Sequence, residues 1–293
     1  MLKQRVITAV VLLAILLPAL FYQTPTPFCA VALVLIAAGG WEWGRLNGFG
    51  QAGSVCLAAL CFLACASFWY LGWLTRPLPV VWAVTGAIWV LAGGWLLRRG
   101  VVGWPLIPAP VRLIGGLLAL CLTWLAVAQA RVIGVQFLLS ILLLVWVADI
   151  AAYFAGRALG GRFSRGKLAP SISPGKSWEG VWGGMMGVVL LSLAWTSFGA
   201  SAALTGSWHE ALAAETLYSR LVALHGVPMM LLAVLFLTAM SVVGDLVESL
   251  IKRSAGVKDS SGLLPGHGGV LDRVDALLPA VPLAMMLASF RPF

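Results

Sequence analysis

Long apolar runs, separated by short polar segments, follow one another along the chain. They lie at about 6–22, 28–43, 53–74, 79–97, 113–130, 132–153, 180–199, 227–248 and 270–290. Because about 20 apolar residues in a helix cross the roughly 30 Å hydrocarbon core of a bilayer, each run predicts a transmembrane helix. The runs are continuously apolar and do not alternate as the strands of a membrane β-barrel do. The pattern predicts an all-α integral membrane protein with about nine transmembrane helices.

Positive charge is distributed unevenly between the two ends of these predicted helices. If the N-terminus is cytoplasmic, fifteen Lys and Arg residues face the cytoplasm, and those facing outside are Arg76, Arg131, Arg220 and Arg291. Lys and Arg are enriched in the cytoplasmic loops of membrane proteins. We therefore expect a cytoplasmic N-terminus and a C-terminus outside, whereas eight helices would remove the asymmetry. The division of the fifth helix from the sixth near Arg131 requires a very tight turn.

The composition agrees with a membrane protein and argues against two other classes. The chain is 61% hydrophobic and only 10% charged, whereas soluble domains carry about 25% charged residues. Its net charge of +9 comes from residues beside the apolar runs and not from a long basic tract, so no nucleic-acid partner is expected. The five cysteines all lie in apolar runs. Cys61 and Cys65 share a helix face, but no His or carboxylate lies nearby in the sequence, and we interpret them as small hydrophobic residues.

Carboxylates are concentrated on the side predicted to be cytoplasmic. Of the ten, all but Glu210 and Glu215 fall there, and five lie within residues 245–275. Charged groups near lipid are costly and usually have a metal ion, a counter-charge or a substrate as their partner. This cluster is therefore the predicted site of the chemistry.

Spacing within the cluster predicts which groups meet. On a helix, Asp245, either Glu248 or Ser249, and Lys252 share one face. Asp272 and Asp275 lie three residues apart at the start of the last predicted helix. Two helix ends that each offer carboxylates suit Mg²⁺, which prefers oxygen ligands. The alternative is a set of interfacial charges whose long side chains reach out of the membrane.

Two polar segments, 154–179 and 249–269, are predicted as cytoplasmic loops that carry function. The glycine-rich run 265–269 can present backbone N–H groups to phosphate oxygens. Lys176 and Ser177 suggest a P-loop, but Pro170 stands where that motif requires glycine, and no strand is predicted before it. Lys176 can still hold a phosphate, and Ser177 alternatively caps the next helix. We divide the chain into N-terminal helices, 1–130, and a C-terminal catalytic region, 131–293.

The segment 249–275 resembles a family signature at every invariant position. It contains Ser249, Lys252 and Arg253, then Lys258 and Asp259, then Pro-Gly-His-Gly-Gly, and finally Asp272, Arg273 and Asp275. This arrangement is similar to the signature of the phosphatidate cytidylyltransferases, also called CDP-diacylglycerol synthases. Residues 173–180 and 41–46 resemble two further stretches of that family, the second of which includes Glu42.

The resemblance implies that CTP and phosphatidate react to give CDP-diacylglycerol and pyrophosphate, with Mg²⁺ required and a second cation allowed. It implies metal ligation by Asp245, Asp272 and Asp275, with Lys252 and Arg273 among the catalytic groups. The substrate-binding residues would be Ser173, Lys176, Ser177, Ser249, Arg253, Lys258, Asp259, His267, Gly268 and Gly269. A multi-pass protein of the bacterial inner membrane is expected, among membrane lipids and as a homodimer.

Two other functions remain open at this stage. An ion or solute transporter would line its path with intramembrane carboxylates, but the acids here lie near one face. A CTP-dependent kinase of polyprenol or phytol type would share nucleotide-binding features. Cytidine-labelled CTP separates them, because only a cytidylyltransferase moves that label into lipid.

Overall fold

The computed structural model describes residues 2–164, 166–205 and 215–289. In these ranges the chain forms α1 (Leu2–Phe21), α2 (Thr26–Leu46), α3 (Gln51–Tyr70), α4 (Pro79–Gly103), α5 (Ala109–Ile133), α6 (Val135–Leu159), β1 (Lys167–Ala169), β2 (Ser173–Ser177), α7 (Trp178–Thr205), α8 (Leu217–Ser254), α9 (Leu271–Val274) and α10 (Leu277–Ser289). Arg165, Glu210 and Arg291, which the sequence analysis assigned to sides of the membrane, lie outside the described residues.

Helices α1 to α8 are each long and apolar enough to cross a membrane. The expected all-α integral membrane fold is therefore confirmed, while the side on which each terminus lies stays a prediction. The ninth predicted helix is divided, because α9 ends at Val274 and α10 begins at Leu277. Pro279 has no N–H to donate to the carbonyl of Asp275, four residues earlier, which favours a break in the helix at this point.

The tight turn predicted near Arg131 is present. Helix α5 ends at Ile133, Gly134 is extended, and α6 begins at Val135. Arg131 is only 5% exposed, and its guanidinium donates to the backbone carbonyls of Leu20 and Tyr22, at 2.9 and 2.5 Å. These carbonyls lie at the end of α1, where backbone acceptors lack helical partners, so the buried arginine closes that helix end.

Small residues allow α6 and α7 to pack very closely. A Cβ atom at Gly184 would lie 2.9 Å from the backbone oxygen of Ala148, and one at Gly187 would lie 2.7 Å from Cβ of Ala151. Small residues at regular spacing are a common helix–helix contact in membranes, because they bring backbones together. This contact fixes α7, and with it the hairpin that precedes it, against α6.

Helix α10 lies in the interior of the bundle, packed against α4, α5 and α8. Most of its residues are buried, and Gly86 on α4 leaves room for Leu283 and Met286. Thr123 on α5 donates to the carbonyl of Leu278 at 3.1 Å. The start of α10 is thus held from several sides, which positions the acidic segment just before it.

The segment 154–179 was predicted as a loop, and its second half is instead a short antiparallel hairpin of β1 and β2. Lys167 pairs with Ser177, and Ala169 pairs with Ser173. Glu179, in the first turn of α7, holds the segment before the hairpin in place. Its carboxylate accepts hydrogen bonds from the backbone N–H groups of Phe163 and Ser164. The hairpin thereby places Lys176 at a fixed position beside α8.

Candidate active site

The C-terminal part of α8, which the sequence analysis assigns to the cytoplasmic side, lies directly against the start of the last helical segment. A Cβ atom at Gly244 would lie 2.5 Å from the backbone oxygen of Asp275 and 2.7 Å from Cδ of Pro279. A larger residue at position 244 would force the two segments apart. The two acidic segments that the sequence analysis expected to meet, 245–252 and 272–275, are adjacent.

Lys252 lies between two carboxylates, one on its own helix and one on α9. Its Nζ is 2.5 Å from Oδ1 of Asp272 and also pairs with Glu248, one turn earlier on α8. The Lys252 side chain is 11% exposed, and those of the two acids are 6% and 7% exposed. Because a buried charge without a partner is strongly destabilising, these ion pairs hold α9 against α8.

The second oxygen of Asp272 holds both ends of segment 260–269, which we call the signature loop. Oδ2 accepts hydrogen bonds from the backbone N–H of Ser260 at 2.9 Å, the Ser260 hydroxyl at 2.8 Å and the backbone N–H of Gly269 at 2.7 Å. Gly268 has a φ of +80°, a left-handed conformation that glycine adopts without a steric penalty. Asp272 therefore joins both ends of segment 260–269 to α9.

Glu42 on α2 supports the same loop from the opposite side. It is fully buried, and its two oxygens accept hydrogen bonds from the Ser261 hydroxyl and from the backbone N–H groups of Val270 and Leu271. The Ser260 hydroxyl, which donates to Asp272, lies 3.1 Å from one of these oxygens. A carboxylate that receives several donors is well stabilised despite burial. Glu42 thus fixes the loop and the start of α9 relative to the N-terminal helices.

The first turns of α1 pack against the signature loop at Pro265 and Gly266. The Thr8 hydroxyl donates to the carbonyl of Pro265 at 2.9 Å, and a Cβ atom at Gly266 would lie 2.8 Å from Cγ of Arg5. The start of α1 and the signature loop consequently lie at the same end of the bundle. This agrees with the predicted topology, in which both are cytoplasmic.

The hairpin brings a second lysine to α8. Nζ of Lys176 is 2.5 Å from Oδ2 of Asp245, while the Ser249 hydroxyl donates to Oδ1 of Asp245 at 3.3 Å. The Lys176 and Asp245 side chains are 27% and 30% exposed, so this ion pair, unlike that of Lys252, is accessible to a ligand. The site therefore contains two buried ion pairs that share Lys252 and one open ion pair.

A cavity of about 480 Å³ opens beside the Lys176–Asp245 pair. Helices α6, α7 and α8 and the hairpin line it, and its polar lining includes Asp149, Arg157 and Ser177. Asp149 on α6 lies close enough to Asp245 and Lys176 to interact with both electrostatically. Acidic and basic groups therefore face one space of the size that ordinary small-molecule sites have.

Asp245, which lines the cavity, and Asp275, which does not line it, suit a magnesium ion in their chemistry. Asp245 and Asp275 interact electrostatically with each other, and Lys176 acts on both. Among the described residues no three carboxylates bring oxygens within 4.8 Å of one another. Mg²⁺ is commonly held by one or two carboxylates together with water and substrate phosphates, so a pair such as Asp245 and Asp275 fits it. The described structure supplies no complete cage of protein ligands.

A family model described as the cytidylyltransferase family matches residues 3–290. The chain belongs to that family. It is 38% identical to the phosphatidate cytidylyltransferase of Pseudomonas aeruginosa, over 97% of this chain and 95% of the relative. The corresponding protein of Haemophilus influenzae is 35% identical over 96% of each chain, and that of Brucella suis is 34% identical over 98% of this chain and 93% of its own. The protein is thus a nucleotidyltransferase of a multi-pass bacterial membrane type.

Several predicted site residues of this cytidylyltransferase form hydrogen bonds with backbone groups in the structure. Arg273 donates from Nε and Nη2 to the carbonyl of His267, and Arg253 donates to the carbonyl of Ile172 at 3.4 Å. The Ser177 hydroxyl accepts the backbone N–H of Gly180, which is the capping role left open by the sequence. Their predicted contacts with substrate stay predictions.

Other predicted residues lie apart from the ion pairs. Lys258 and Asp259 are exposed and make no side-chain hydrogen bond or ion pair with any described residue. Ser173 lies in β2, at the start of the strand that ends beside Lys176. The ring Nδ1 of His267 is buried without a hydrogen-bond partner among the described residues. Gly268 and Gly269 pack on Asp272 and Glu42.

Sequence reasoning underestimated three groups in this cytidylyltransferase. Glu42 was noted only within a family-like stretch, Asp149 only as one acid on the cytoplasmic side, and Ser260 was not singled out. Each depends on a contact between distant parts of the chain. Glu42 did carry a signal, because it is a carboxylate inside an apolar run, and such residues are rarely left without partners.

Proposed function

We propose that this protein transfers the cytidylyl group of CTP to phosphatidate, giving CDP-diacylglycerol and pyrophosphate. The observation that carries the proposal is the open Lys176–Asp245 pair at the wall of the 480 Å³ cavity. One group can receive phosphate and the other can receive a cation, and both lie at the end of the bundle where the signature loop is built. The names of the relatives supply the two substrates.

The reaction requires positioning more than proton transfer. A phosphate oxygen of phosphatidate attacks the α-phosphorus of CTP, the bond to the β-phosphate oxygen breaks, and pyrophosphate leaves with the electron pair. No catalytic base is needed, because a phosphate monoester is already ionised near neutral pH. Lys176 binds a phosphate oxygen in this scheme, and Arg157, exposed at the cavity mouth, binds another.

A divalent cation, when bound, would supply charge neutralisation at the triphosphate. Asp245 and Asp275 would hold it, with Asp149 close to Asp245. Asp272 joins the ligands only if Lys252 leaves its Oδ1, because the other oxygen already accepts three hydrogen bonds. Ligand exchange of this kind would couple cation binding to the position of the signature loop.

Phosphatidate reaches the cavity from the bilayer in this proposal. Tyr153 lines the cavity and is 59% exposed, and Phe154 and Trp182 beside it on α6 and α7 are 64% and 63% exposed. An outward-facing apolar surface on spanning helices lies against lipid or a second copy of the protein. A diacyl substrate can therefore keep its chains in hydrocarbon while its phosphate enters the cavity past Tyr153.

The test uses purified protein in lipid nanodiscs that contain phosphatidate. Two samples receive CTP labelled either in the cytidine or in the γ-phosphate. We expect the cytidine label in the lipid, the γ label in released pyrophosphate, and no turnover when divalent cations are chelated. A γ label in lipid with CDP released would instead identify a lipid kinase and refute the proposal. Solute flux without CTP turnover would identify a transporter.

The proposal includes two further assignments. The C-terminal region 131–293 carries the cavity and most of the site, whereas the N-terminal helices 1–130 contribute Glu42 and the cover of α1. The family resemblance also implies a homodimer. Its interface would lie on exposed apolar helix surfaces other than the one through which phosphatidate enters.

A further inference from the structure

Three cysteines from two helices meet in the interior of the bundle. Cys61 and Cys65 lie one turn apart on α3, and Cys121 on α5 completes the group. Their Sγ atoms all lie within 4.8 Å of one another, and those of Cys61 and Cys121 are 3.7 Å apart. Neither α3 nor α5 carries a candidate active-site carboxylate, so this cysteine cluster is separate from the nucleotidyl-transfer chemistry.

We propose that Cys61, Cys65 and Cys121 form a binding site for a thiophilic d¹⁰ metal ion, with Cu(I) the best matched. Soft thiolate ligands select ions of this kind over Mg²⁺ or Ca²⁺. The sequence showed only the first two cysteines on one helix face. The third ligand arrives through the packing of α5 on α3, which is why composition alone indicated ordinary core residues.

The geometry fits a three-coordinate sulfur site. Metal–sulfur bonds of about 2.3 Å in a trigonal plane place the sulfur atoms about 4.0 Å apart, which is close to the observed separations. A tetrahedral Zn²⁺ site needs a fourth ligand, and among the described residues no His or carboxylate joins the group. Water is also excluded, because the three cysteines are 0%, 0% and 2% exposed. These conditions favour an ion that accepts three sulfurs.

Charge balance also favours a singly charged metal ion. Without one, the thiols are donors to nearby carbonyls: Cys61 to Ile36 at 3.7 Å, and Cys121 to Cys61 at 3.9 Å. Thiolates in an apolar interior without a cation would be costly. A Cu(I) ion bound by one thiolate and two thiol sulfurs leaves the cluster neutral, and the one displaced proton leaves with metal binding. The empty site is therefore compatible with the membrane interior and the occupied one is compensated.

The cluster also touches the helix that supports the active site. A Cβ atom at Gly40 would lie 3.0 Å from Cβ of Cys61, and Glu42 follows two residues later on α2. A metal ion bound by all three cysteines links α3 to α5. It thereby fixes the position of α3, against which this part of α2 packs.

The test is a Cu(I) titration of the purified full-length protein in nanodiscs, under reducing conditions and against a competing Cu(I) chelator. We expect a single equivalent of copper to stay with the protein. X-ray absorption should show three sulfur neighbours at about 2.3 Å. Because this measurement uses the unmodified protein, it does not depend on the folding of any variant. Copper lost entirely to the chelator, or bound to fewer than three sulfurs, would overturn the proposal.

Variants assign the copper to the cluster. Cys121→Ala and Cys61→Ala should each lose the retained equivalent. Cys56→Ala, which changes an exposed cysteine on the same helix α3, should keep it. Equal loss in Cys56→Ala would show adventitious binding and overturn the site. Tighter retention of Zn²⁺ than of Cu(I) in parallel titrations would overturn the assignment of the ion.

Discussion

The carboxylate of Glu42 accepts a hydrogen bond from the backbone N–H of Leu271 at 2.7 Å, across 229 positions of the sequence. Two more donors, the Ser261 hydroxyl and the backbone N–H of Val270, bind the same carboxylate, and the Ser260 hydroxyl lies 3.1 Å from it. Leu271 is the first residue of α9, and Asp272 follows it. The N-terminal helices are therefore not a passive anchor, because one of them sets the position of the acidic segment.

Glu42→Gln should destabilise the protein and reduce turnover. The amide places an NH₂ group where the carboxylate accepted hydrogen bonds, so buried donors face each other, at a cost of about 1–3 kcal/mol. Thermal unfolding in nanodiscs measures the stability. Hydrogen exchange of segment 259–271 should accelerate, which shows that the loop itself has been released.

Glu215→Gln is the matched control for Glu42→Gln. Its side chain is 52% exposed and pairs with Arg220 at 3.2 Å, and a surface ion pair contributes about 0–1 kcal/mol. Unchanged exchange of segment 259–271 in Glu42→Gln, with loss of activity no larger than in the control, would contradict the positioning role.

Lys252→Met should destabilise the protein by about 3–5 kcal/mol, because it leaves Glu248 and Asp272 buried without their counter-charge. The measurement is a denaturant or thermal unfolding curve for the reconstituted protein. The double variant Lys252→Met/Glu248→Gln should recover part of the lost stability, since one of the two unpaired buried carboxylates has been removed. It should not recover turnover, because Asp272 still lacks its partner. Additive effects in the double variant would show that Lys252 and Glu248 are not coupled.

The apolar runs were sufficient to predict the spanning helices, because burial in hydrocarbon dictates length and composition directly. The start of the eighth run at 227 coincides with Gly226, where α8 leaves helical geometry at a φ of +79°. The ninth run was less well predicted. Its apolar residues resume at Ala276 and give no sign of a break before Leu277. The break reflects Pro279 and the contact with Gly244, and hydropathy does not register either effect.

The parts of the site formed by residues close together in the sequence were predictable, whereas the contacts between distant segments were not. Spacing on one helix placed Ser249 beside Asp245, which it contacts, whereas Lys252 pairs with Glu248 and Asp272 instead. Spacing gave no indication that Lys176 pairs with Asp245 while Lys252 pairs with Asp272. Such choices depend on how α8, α9 and the hairpin pack, and that information is spread over distant residues.

Lys176→Gln should weaken the use of nucleotide or lipid phosphate about 10- to 100-fold, the range expected for loss of a charge-assisted hydrogen bond. The KM values for CTP and phosphatidate, measured separately, identify which substrate the lysine holds. Lys167→Gln is the control, because it removes an equal charge from an exposed position on the same hairpin. Equal effects of the two substitutions would mean that only the overall charge of the hairpin matters.

Gly244→Ala should destabilise the protein by about 1–3 kcal/mol and reduce turnover, since the added methyl group meets Asp275 and Pro279 in a packed interface. The displacement would move Asp275 away from Asp245, so the apparent affinity for the activating divalent cation should fall as well. Gly94→Ala is the matched control, because a Cβ atom there meets nothing within 4 Å on α4. That change should be neutral or stabilising by up to about 1 kcal/mol. Cation titrations of turnover for both variants measure the difference. If Gly244→Ala lost stability but kept the cation affinity of Gly94→Ala, the α8–α10 contact would support the fold without shaping the cation site.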